Sequence, residues 1–243
     1  MPARGTLYGV GVGPGDPELM SLKAARILKS APVIAYFAKK GSTSNARRSV
    51  DGQLNPNAEL VRLDYPFTTE LRETDPCYRD ALIAFYDASA ATLAAKLDDG
   101  QDVAVICAGD PFFYGSYAHL HERLAVTHHC EVIPGVTAMS GCWTSASTPM
   151  TCGDEMLAVL SGTMDADALA ERLAACEAAV VMKVGRNLAK IRHALARAGK
   201  LDRAVYVERG TMPEERIVKL AEKPDDTAAY FAMVLVPGER KPL

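Results

Sequence analysis

Residues 8–24 read YGVGVGPGDPELMSLKA, and a second glycine-aspartate-proline occurs at residues 109–111. In the first stretch an apolar run typical of a β-strand, residues 6–12, ends in closely spaced glycines and prolines, and a helical pattern begins near Glu18. The second glycine-aspartate-proline follows the apolar run 102–107 in the same way. Each place predicts the carboxyl end of a parallel strand that leads into a helix, which is where open α/β sheets bind ligands. Two such turns in one chain predict one pocket built from both.

The spacing of these glycines excludes two common phosphate-binding motifs. A dinucleotide-binding turn needs glycine at its first, third and sixth positions, and from Gly9, Gly11 or Gly13 the sixth position is proline, aspartate or glutamate. No Gly-Lys-Ser/Thr follows any of these turns, so they are not P-loops. What remains is a tight loop whose backbone can approach a ligand, in which Pro14 lacks an N–H and has a fixed φ. For either loop alone, a purely structural turn stays the alternative.

Length and composition indicate an ordinary globular protein. The chain has 243 residues, of which 49% are hydrophobic and 23% charged, and its formal net charge is −3. That length can bury a full core and fits one large or two small α/β domains. The weak net charge gives no general attraction to nucleic acid or to anionic membranes, and no apolar run reaches the roughly 20 residues of a spanning helix. We therefore expect neither nucleic acid nor membrane as a partner.

The reactive residue types form no recognisable catalytic or metal-binding set. The six cysteines never occur as CxxC, which favours free thiols in a reducing cytoplasm over a zinc site. The five histidines include no HExxH pair, and no GxSxG nucleophile turn is present. We expect no bound metal, and we expect any catalysis to depend on binding and positioning.

Alternating apolar patterns predict two α/β domains, residues 1–134 and 135–243. In the first, we predict strands at 6–12, 32–37, 102–107 and 131–133, and helices at 18–30, 76–99 and 115–125. In the second, we predict helices at 137–146, 165–175 and 187–198, strands at 156–160, 178–184, 204–209 and 230–236, and an added antiparallel strand at 214–219. Segment 38–75 is predicted to be irregular, with a basic, flexible stretch, KKGSTSNARR.

Several segments together carry a specific resemblance. Residues 8–24, 109–116, 132–138 and 180–183 resemble the tetrapyrrole methylase family in order and spacing, and the similarity runs from about residue 5 to residue 236. Within the family, the middle of the chain is most similar to the enzymes that methylate precorrin-2 at C-20 in cobalamin biosynthesis. The segments that carry this finer resemblance are 34–40, 65–69, 85–103, 109–117 and 180–187.

The resemblance implies a fold, a cofactor and a set of binding residues. It implies two α/β domains with a cofactor cleft between them, S-adenosylmethionine (SAM) as methyl donor, a tetrapyrrole substrate and a homodimer. The implied cofactor-binding positions are Pro14, Ala108, Gly109, Asp110, Phe113, Thr137, Ala138, Met182, Gly210 and Ala232. Ala108 departs from the family, where glycine or glutamate is frequent, but alanine is small enough to keep the loop compatible with a cofactor.

Simple physical chemistry agrees with these positions. Glycine turns and helix N-termini supply N–H groups to the methionine carboxylate, and Met182 and Ala232 offer apolar walls to an adenine ring. The implied substrate-binding positions are Tyr36, Lys39, Arg47 and Arg48, of which the three cations suit the acetate and propionate groups of the substrate. A solvated loop is the alternative for this basic stretch. Asp110 and Tyr114 are candidates, by position only, for the base that removes a proton from C-20.

Three other functions stay open at this point. The chain can act on the cobalt-loaded substrate of the oxygen-independent route, or it can be another methylase of the family, including one that modifies ribosomal RNA. The RNA function is disfavoured because the basic cluster is short and no aromatic stacking surface accompanies it. A non-catalytic carrier of SAM or of a tetrapyrrole is the third alternative.

Overall fold

A computed structural model of the chain describes residues 3–66 and 76–239. The chain divides into two compact units, Met1–Thr137 and Ala138–Leu243, and each contains one five-stranded sheet. Two segments of the sequence-based interpretation fall partly outside the described residues: 67–69 of the resemblance segment 65–69, and 67–75 of the predicted irregular segment.

The first unit contains a fully parallel sheet. Its strands are β1 (Leu7–Gly11), β2 (Val33–Lys39), β3 (Glu59–Tyr65), β4 (Val103–Cys107) and β5 (Cys130–Ile133). They lie in the order β3-β2-β4-β1-β5, and every neighbouring pair is parallel. The carboxyl ends of all five strands therefore share one edge of the sheet, and the loops that follow β1, β4 and β5 meet there.

Helices cover both faces of this sheet. They are α1 (Leu22–Ser30), α2 (Asn45–Arg48), α3 (Pro76–Asp98) and α4 (Tyr117–Leu124). Side chains alternate along β4, so Val105 packs with α3 and α4 while Ile106 packs with α1 on the other face. Helix α1 begins where it does because the hydroxyl of Ser21 accepts a hydrogen bond from the Ala24 N–H at 3.2 Å.

The second unit contains a mixed sheet. Its elements are α5 (Ala138–Ser145), β6 (Leu157–Ser161), α6 (Ala166–Ala174), β7 (Ala178–Met182), α7 (Leu188–Arg197), β8 (Val205–Glu208), β9 (Arg216–Lys219) and β10 (Ala232–Val236). The strand order is β6-β7-β10-β8-β9. Strands β6 and β7 are parallel, whereas β10 is antiparallel to β7 and β8, and β9 is antiparallel to β8. Helix α5 packs on one face of the sheet, and α6 and α7 pack on the other.

The predicted strands and helices are confirmed to within about three residues at most ends, including the antiparallel strand predicted at 214–219. At the start of the chain, the helix predicted at 18–30 is a short 3-10 turn, Pro17–Leu19, followed by α1. Segment 38–75 was wrongly predicted to be irregular, because it contains α2 and β3. Strand β3 lies at the edge of the sheet, and its charged residues interrupt the apolar alternation by which strands are recognised.

The described residues contain free cysteines and helices of ordinary length and polarity. The described cysteines 107, 130, 142, 152 and 176 are all free, as predicted; Cys107 and Cys176 are buried, while Cys130 is half-buried. Over residues 3–66 and 76–239, no helix combines the length and the apolar character that crossing a membrane would need.

Candidate cofactor site

Three loops meet at the carboxyl edge of the first sheet. We call them the first loop (residues 12–16), the second loop (residues 108–116) and the third loop (residues 134–137). The N–H of Gly109 donates to the carbonyl of Gly13 at 2.7 Å, and the two residues form a short antiparallel bridge. The two turns that the sequence predicted to share a pocket are therefore in direct contact.

The backbone of the third loop contacts the backbones of the second loop and of the end of β1. A β-carbon on Gly11, the last residue of β1, would lie 2.6 Å from the nitrogen of Gly135 and 2.7 Å from the carbonyl oxygen of Gly109. A β-carbon on Gly135 would lie 2.0 Å from that same oxygen. Side chains do not tolerate such distances, so the backbones of Gly11, Gly109 and Gly135 can pack together only because Gly11 and Gly135 lack side chains. Sequence reasoning missed Gly135 as a site residue, although Pro134-Gly135 directly after a strand was an available signal.

The remaining glycines of the motif serve other purposes. Gly13 has φ +82° and Gly109 has φ +69°, conformations that favour glycine. Gly9 is needed for packing, because its β-carbon would lie 2.3 Å from Cε1 of Tyr117, whose side chain is fully buried. Gly9, Gly11 and Gly13 of the first motif therefore serve three different purposes: packing, close approach of backbones and a turn.

Asp110 connects the second loop to the third. One carboxylate oxygen accepts a hydrogen bond from the N–H of Phe112 at 2.9 Å, and the other accepts from the N–H of Gly135 at 3.1 Å. Both oxygens are thus directed at backbone groups of the loops. This geometry argues against Asp110 as the base, because both oxygens of its carboxylate already accept hydrogen bonds from the loops.

The other residues implied for the second loop differ in exposure. Ala108 is exposed, whereas Gly109 is buried and uses its N–H to bind Gly13. Phe113 is half-buried, and its ring meets that of Tyr114 at 5.0 Å in an edge-on arrangement. Tyr114 is 57% exposed and has φ +54°, an uncommon conformation for a residue other than glycine. In the first loop, Pro14 is buried.

The second unit brings three of its four implied cofactor residues to one edge of its own sheet. Met182 ends β7, Gly210 follows the end of β8, and Ala232 begins β10 opposite Glu208. Ala232 is buried on the face that α6 and α7 cover, so its side chain is part of the core and only its backbone can face a ligand. Met182 is half-buried on the opposite face, together with Ala138.

The turn at Gly210 lies against helix α5. A β-carbon on Gly210 would lie 2.8 Å from the sulfur of Cys142, and the N–H of Arg209 donates to the carbonyl of Phe231 at 2.8 Å. Burial raises the pKa of the Cys142 thiol to about 11, and a hydrogen bond from the backbone of Gly210 opposes part of this rise. The turn is therefore defined by packing that only glycine permits.

The basic stretch is ordered by hydrogen bonds that sequence reasoning did not anticipate. Arg62 on β3 donates from Nη2 to the carbonyl oxygens of Lys39 and Ser42, both at 2.9 Å. Arg47 forms an ion pair with Asp51 and borders a surface cavity of about 410 Å³. The predicted flexible stretch is thus a structured turn followed by α2.

The other implied substrate residues occupy the same part of the first unit. Tyr36 is half-buried within β2, Lys39 is exposed at its carboxyl end, and Arg48 is exposed at the end of α2.

An aromatic cluster lies where β2 and β3 end. The rings of Phe37 and Tyr65 are stacked at 5.5 Å, and the ring of Phe85 on α3 is 4.9 Å from that of Tyr65. The hydroxyl of Tyr65 is hydrogen-bonded to that of Ser116, the last residue of the second loop. The cluster therefore joins the edge strand to the second loop.

Comparison with known proteins identifies the family. Residues 6–224 match the family described as Tetrapyrrole (Corrin/Porphyrin) Methylases. The chain belongs to the tetrapyrrole methylase family. It is 56% identical over 234 residues to the precorrin-2 C(20)-methyltransferase of Sinorhizobium sp, with 96% of each chain covered. It is 31% identical over 235 residues to the cobalt-precorrin-2 C(20)-methyltransferase of Salmonella typhimurium, again with 96% of each chain covered.

A solved structure supports the fold of this tetrapyrrole methylase. The uroporphyrin-III C-methyl transferase of Thermus thermophilus, complexed with S-adenyl homocysteine, superposes with a TM-score of 0.68 at 24% identity. The match covers 96% of this chain and 92% of that one. The predicted family and the predicted arrangement of two α/β domains are both confirmed, and members of this family use SAM as methyl donor.

Proposed function

We propose that this tetrapyrrole methylase transfers a methyl group from SAM to C-20 of precorrin-2, giving precorrin-3A in cobalamin biosynthesis. The observation that carries the proposal is the 56% identity, over 96% of both chains, to an enzyme named for that reaction. Identity to the enzyme named for the cobalt-containing substrate is 31% over the same share of the chain. The metal-free substrate is therefore favoured over the cobalt-loaded one.

The loops of the first unit fit SAM as a ligand. The backbones of Gly11, Gly109 and Gly135 pack against one another, and a β-carbon on Gly11 or on Gly135 would collide with them. We propose that Pro14, Ala108, Gly109, Asp110, Phe113 and Thr137 hold SAM, with Ala138, Met182, Gly210 and Ala232 of the second unit. Because the N–H groups of Gly109 and Gly135 already have partners, these two residues would shape the surface rather than donate to the ligand. When bound, SAM supplies a methyl group on a positively charged sulfur, which makes it an electrophile.

The chain's own contribution to the reaction is alignment. Methyl transfer needs the attacking carbon and the leaving sulfur in line, and holding two reactants at near-attack distance can supply several kcal/mol of the barrier, up to roughly 7–11 kcal/mol in the best cases. The hydrogen bond between Gly109 and Gly13 and the contact between Asp110 and Gly135 join the three loops, which suits them to hold a ligand in a fixed position. The carboxylate of Asp110 is engaged by two backbone N–H groups, which makes it a poor candidate for the base.

The end of β2 and the helix α2 suit a ligand rich in carboxylates. Lys39 and Arg48 are exposed cations, and Arg62 holds the turn that carries Lys39. We propose that these cations, with Arg47 and Tyr36, bind the acetate and propionate groups of precorrin-2. The rings of Phe37 and Phe85 near Tyr65 provide a flat apolar surface close to them.

The experiment that tests the proposal uses the purified protein with precorrin-2 and isotope-labelled SAM, with and without cobalt in the tetrapyrrole. We expect label at C-20 of the product and faster turnover of the metal-free substrate. Faster turnover of the cobalt form would assign the chain to the oxygen-independent route. Binding of both ligands without any transfer of label would make the protein a carrier.

We further infer that the protein works as a homodimer in the cytoplasm, without nucleic acid or membrane partners. The net charge of −3 and the free cysteines support this environment. Light scattering of the purified protein at micromolar concentration tests the dimer, and a mass near 26.1 kDa would contradict it.

A further inference from the structure

Two aspartates in the chain occupy the same local sequence, glycine-aspartate-proline, and make the same local hydrogen bond. Asp16 accepts from the N–H of Glu18 at 2.8 Å, and Asp110 accepts from the N–H of Phe112 at 2.9 Å. This bond to the residue two positions later is a common property of aspartate in turns. It accounts for one carboxylate oxygen of Asp110 and leaves the purpose of the other to be explained.

The second oxygen of Asp110 reaches another loop. It accepts from the N–H of Gly135 at 3.1 Å, across 25 residues of sequence. Gly135 is the residue whose α-carbon lies against the carbonyl oxygen of Gly109, where a β-carbon would be 2.0 Å away. A carboxylate is a strong hydrogen-bond acceptor, so Asp110 holds Gly135 close to Gly109. Only a residue without a side chain can occupy that position.

We propose that Asp110 is a positioning residue, which sets the place of the third loop through the Gly135 N–H and thereby sets affinity for SAM. This inference rests on the proposed function, because it assumes that SAM is the ligand of these loops. Thr137, an implied SAM-binding position, follows Gly135 by two residues. A displacement of the Gly135 backbone therefore also displaces Thr137. Asp110 acts through Gly135 and not by accepting a proton from the substrate.

Asp110→Asn is the variant that tests this role. It keeps the size of the side chain but replaces one acceptor oxygen by an NH₂ group, which cannot accept from Gly135 while the other oxygen serves Phe112. Hydrogen bonds to charged groups correspond to roughly 10- to 100-fold in an equilibrium constant, so the Kd for SAM should rise by about that factor. At saturating SAM and precorrin-2, kcat should stay within about threefold of wild type, and its pH profile should keep its shape.

The matched control is Asp165→Asn. Asp165 also accepts from two backbone N–H groups, those of Asp167 at 2.9 Å and Ala168 at 3.5 Å, at the start of α6. It should lower the melting temperature without changing the Kd for SAM. A variant that keeps the charge but misplaces it, Asp110→Glu, should bind SAM with intermediate affinity.

The NMR signal of the Gly135 amide proton tests the contact in the wild-type protein, whether or not the variants fold. In the wild-type protein, the amide proton of Gly135 should resonate downfield and resist exchange with solvent, and in Asp110→Asn it should move upfield. A Kd for SAM that is unchanged in folded Asp110→Asn overturns the proposal, and a fall in kcat above 100-fold with loss of the pH profile would make Asp110 the base instead. A Gly135 amide that exchanges freely in wild type also overturns it.

Failure of the wild-type protein to bind SAM at all, with this amide protected, would reject the proposed function while leaving the contact established.

Discussion

The α-carbon of Gly135 lies so close to the carbonyl oxygen of Gly109 that a β-carbon on Gly135 would stand 2.0 Å from that atom. The two residues belong to different loops and are brought together because β4 and β5 flank β1 in a parallel sheet. The absence of a side chain at this point is what lets the loops form a common surface.

Replacing Gly135 by alanine should therefore separate the third loop from the second. We expect the Kd for SAM, measured by calorimetry, to rise by at least about tenfold, which corresponds to 1.4 kcal/mol of lost binding free energy. The control is Gly153→Ala, because Gly153 has φ +56° and open space around its α-carbon. It should cost about 1–2 kcal/mol of stability and leave SAM binding unchanged. Equal affinities in both variants would remove the third loop from the site.

The packing of Gly9 against Tyr117 is testable separately from ligand binding. Gly9→Ala places a methyl group 2.3 Å from the ring of Tyr117, so we expect a loss of about 1–3 kcal/mol in the free energy of unfolding. Combining it with Tyr117→Leu, which removes the ring, should cost less than the sum of the two single changes. Urea unfolding of the four proteins measures this coupling, and strict additivity would show that the ring can move aside.

The two arginines of α2 should contribute to tetrapyrrole binding. Arg48→Ala should weaken binding of precorrin-2 by roughly 10- to 100-fold, as expected for a lost charge-assisted contact. Arg47→Ala should also weaken binding, and its ion pair with Asp51 should offset part of the effect. Arg26→Ala, which removes an exposed arginine of α1, serves as the control.

For these arginine variants, affinity for SAM should not change, and added salt should reproduce part of the loss in wild type. Titration of precorrin-2 by absorbance or fluorescence provides the measurement. If binding in Arg48→Ala equals that in Arg26→Ala, α2 belongs to a solvated surface and the carboxylates are held by other residues.

The stability of the protein should depend on Cys142 at alkaline pH. Burial raises the pKa of this thiol from 9.0 to about 11 in the folded protein, so the unfolded chain loses the proton first as pH rises. The stability contributed by the neutral thiol is complete below pH 9 and is lost as pH approaches 11. Between these values the free energy of unfolding should fall more steeply in wild type than in Cys142→Ala, by about 1.4 kcal/mol per pH unit.

Urea unfolding at pH 8 to 11 in the presence of reductant measures this dependence on Cys142. Cys152→Ala, at an exposed cysteine, provides the control. Parallel curves for wild type and Cys142→Ala would show that the thiol is accessible to solvent in the folded protein.

The prediction from sequence failed where a feature depends on the position of a strand in its sheet. Strand β3 carries Glu59, Arg62 and Asp64 among its apolar residues, because it lies at a sheet edge that faces solvent. The ordering of Lys39 and Ser42 by Arg62 depends on the pairing of β2 with β3, and no local signal announces it. Ala232 looked suitable as an adenine wall, yet the pleat of β10 turns its side chain toward α6 and α7.

The sequence by itself determined the alternation of strands and helices, the division into two α/β units and the two glycine turns, because these follow from local apolar periodicity and from the conformations that glycine and proline allow. The resemblance of its motifs was also enough to identify the family. Only the tertiary structure decided that Gly11, Gly109 and Gly135 touch, and that Asp110 binds Gly135. Those contacts join residues far apart in the chain, and they exist because parallel pairing places the ends of β1, β4 and β5 side by side.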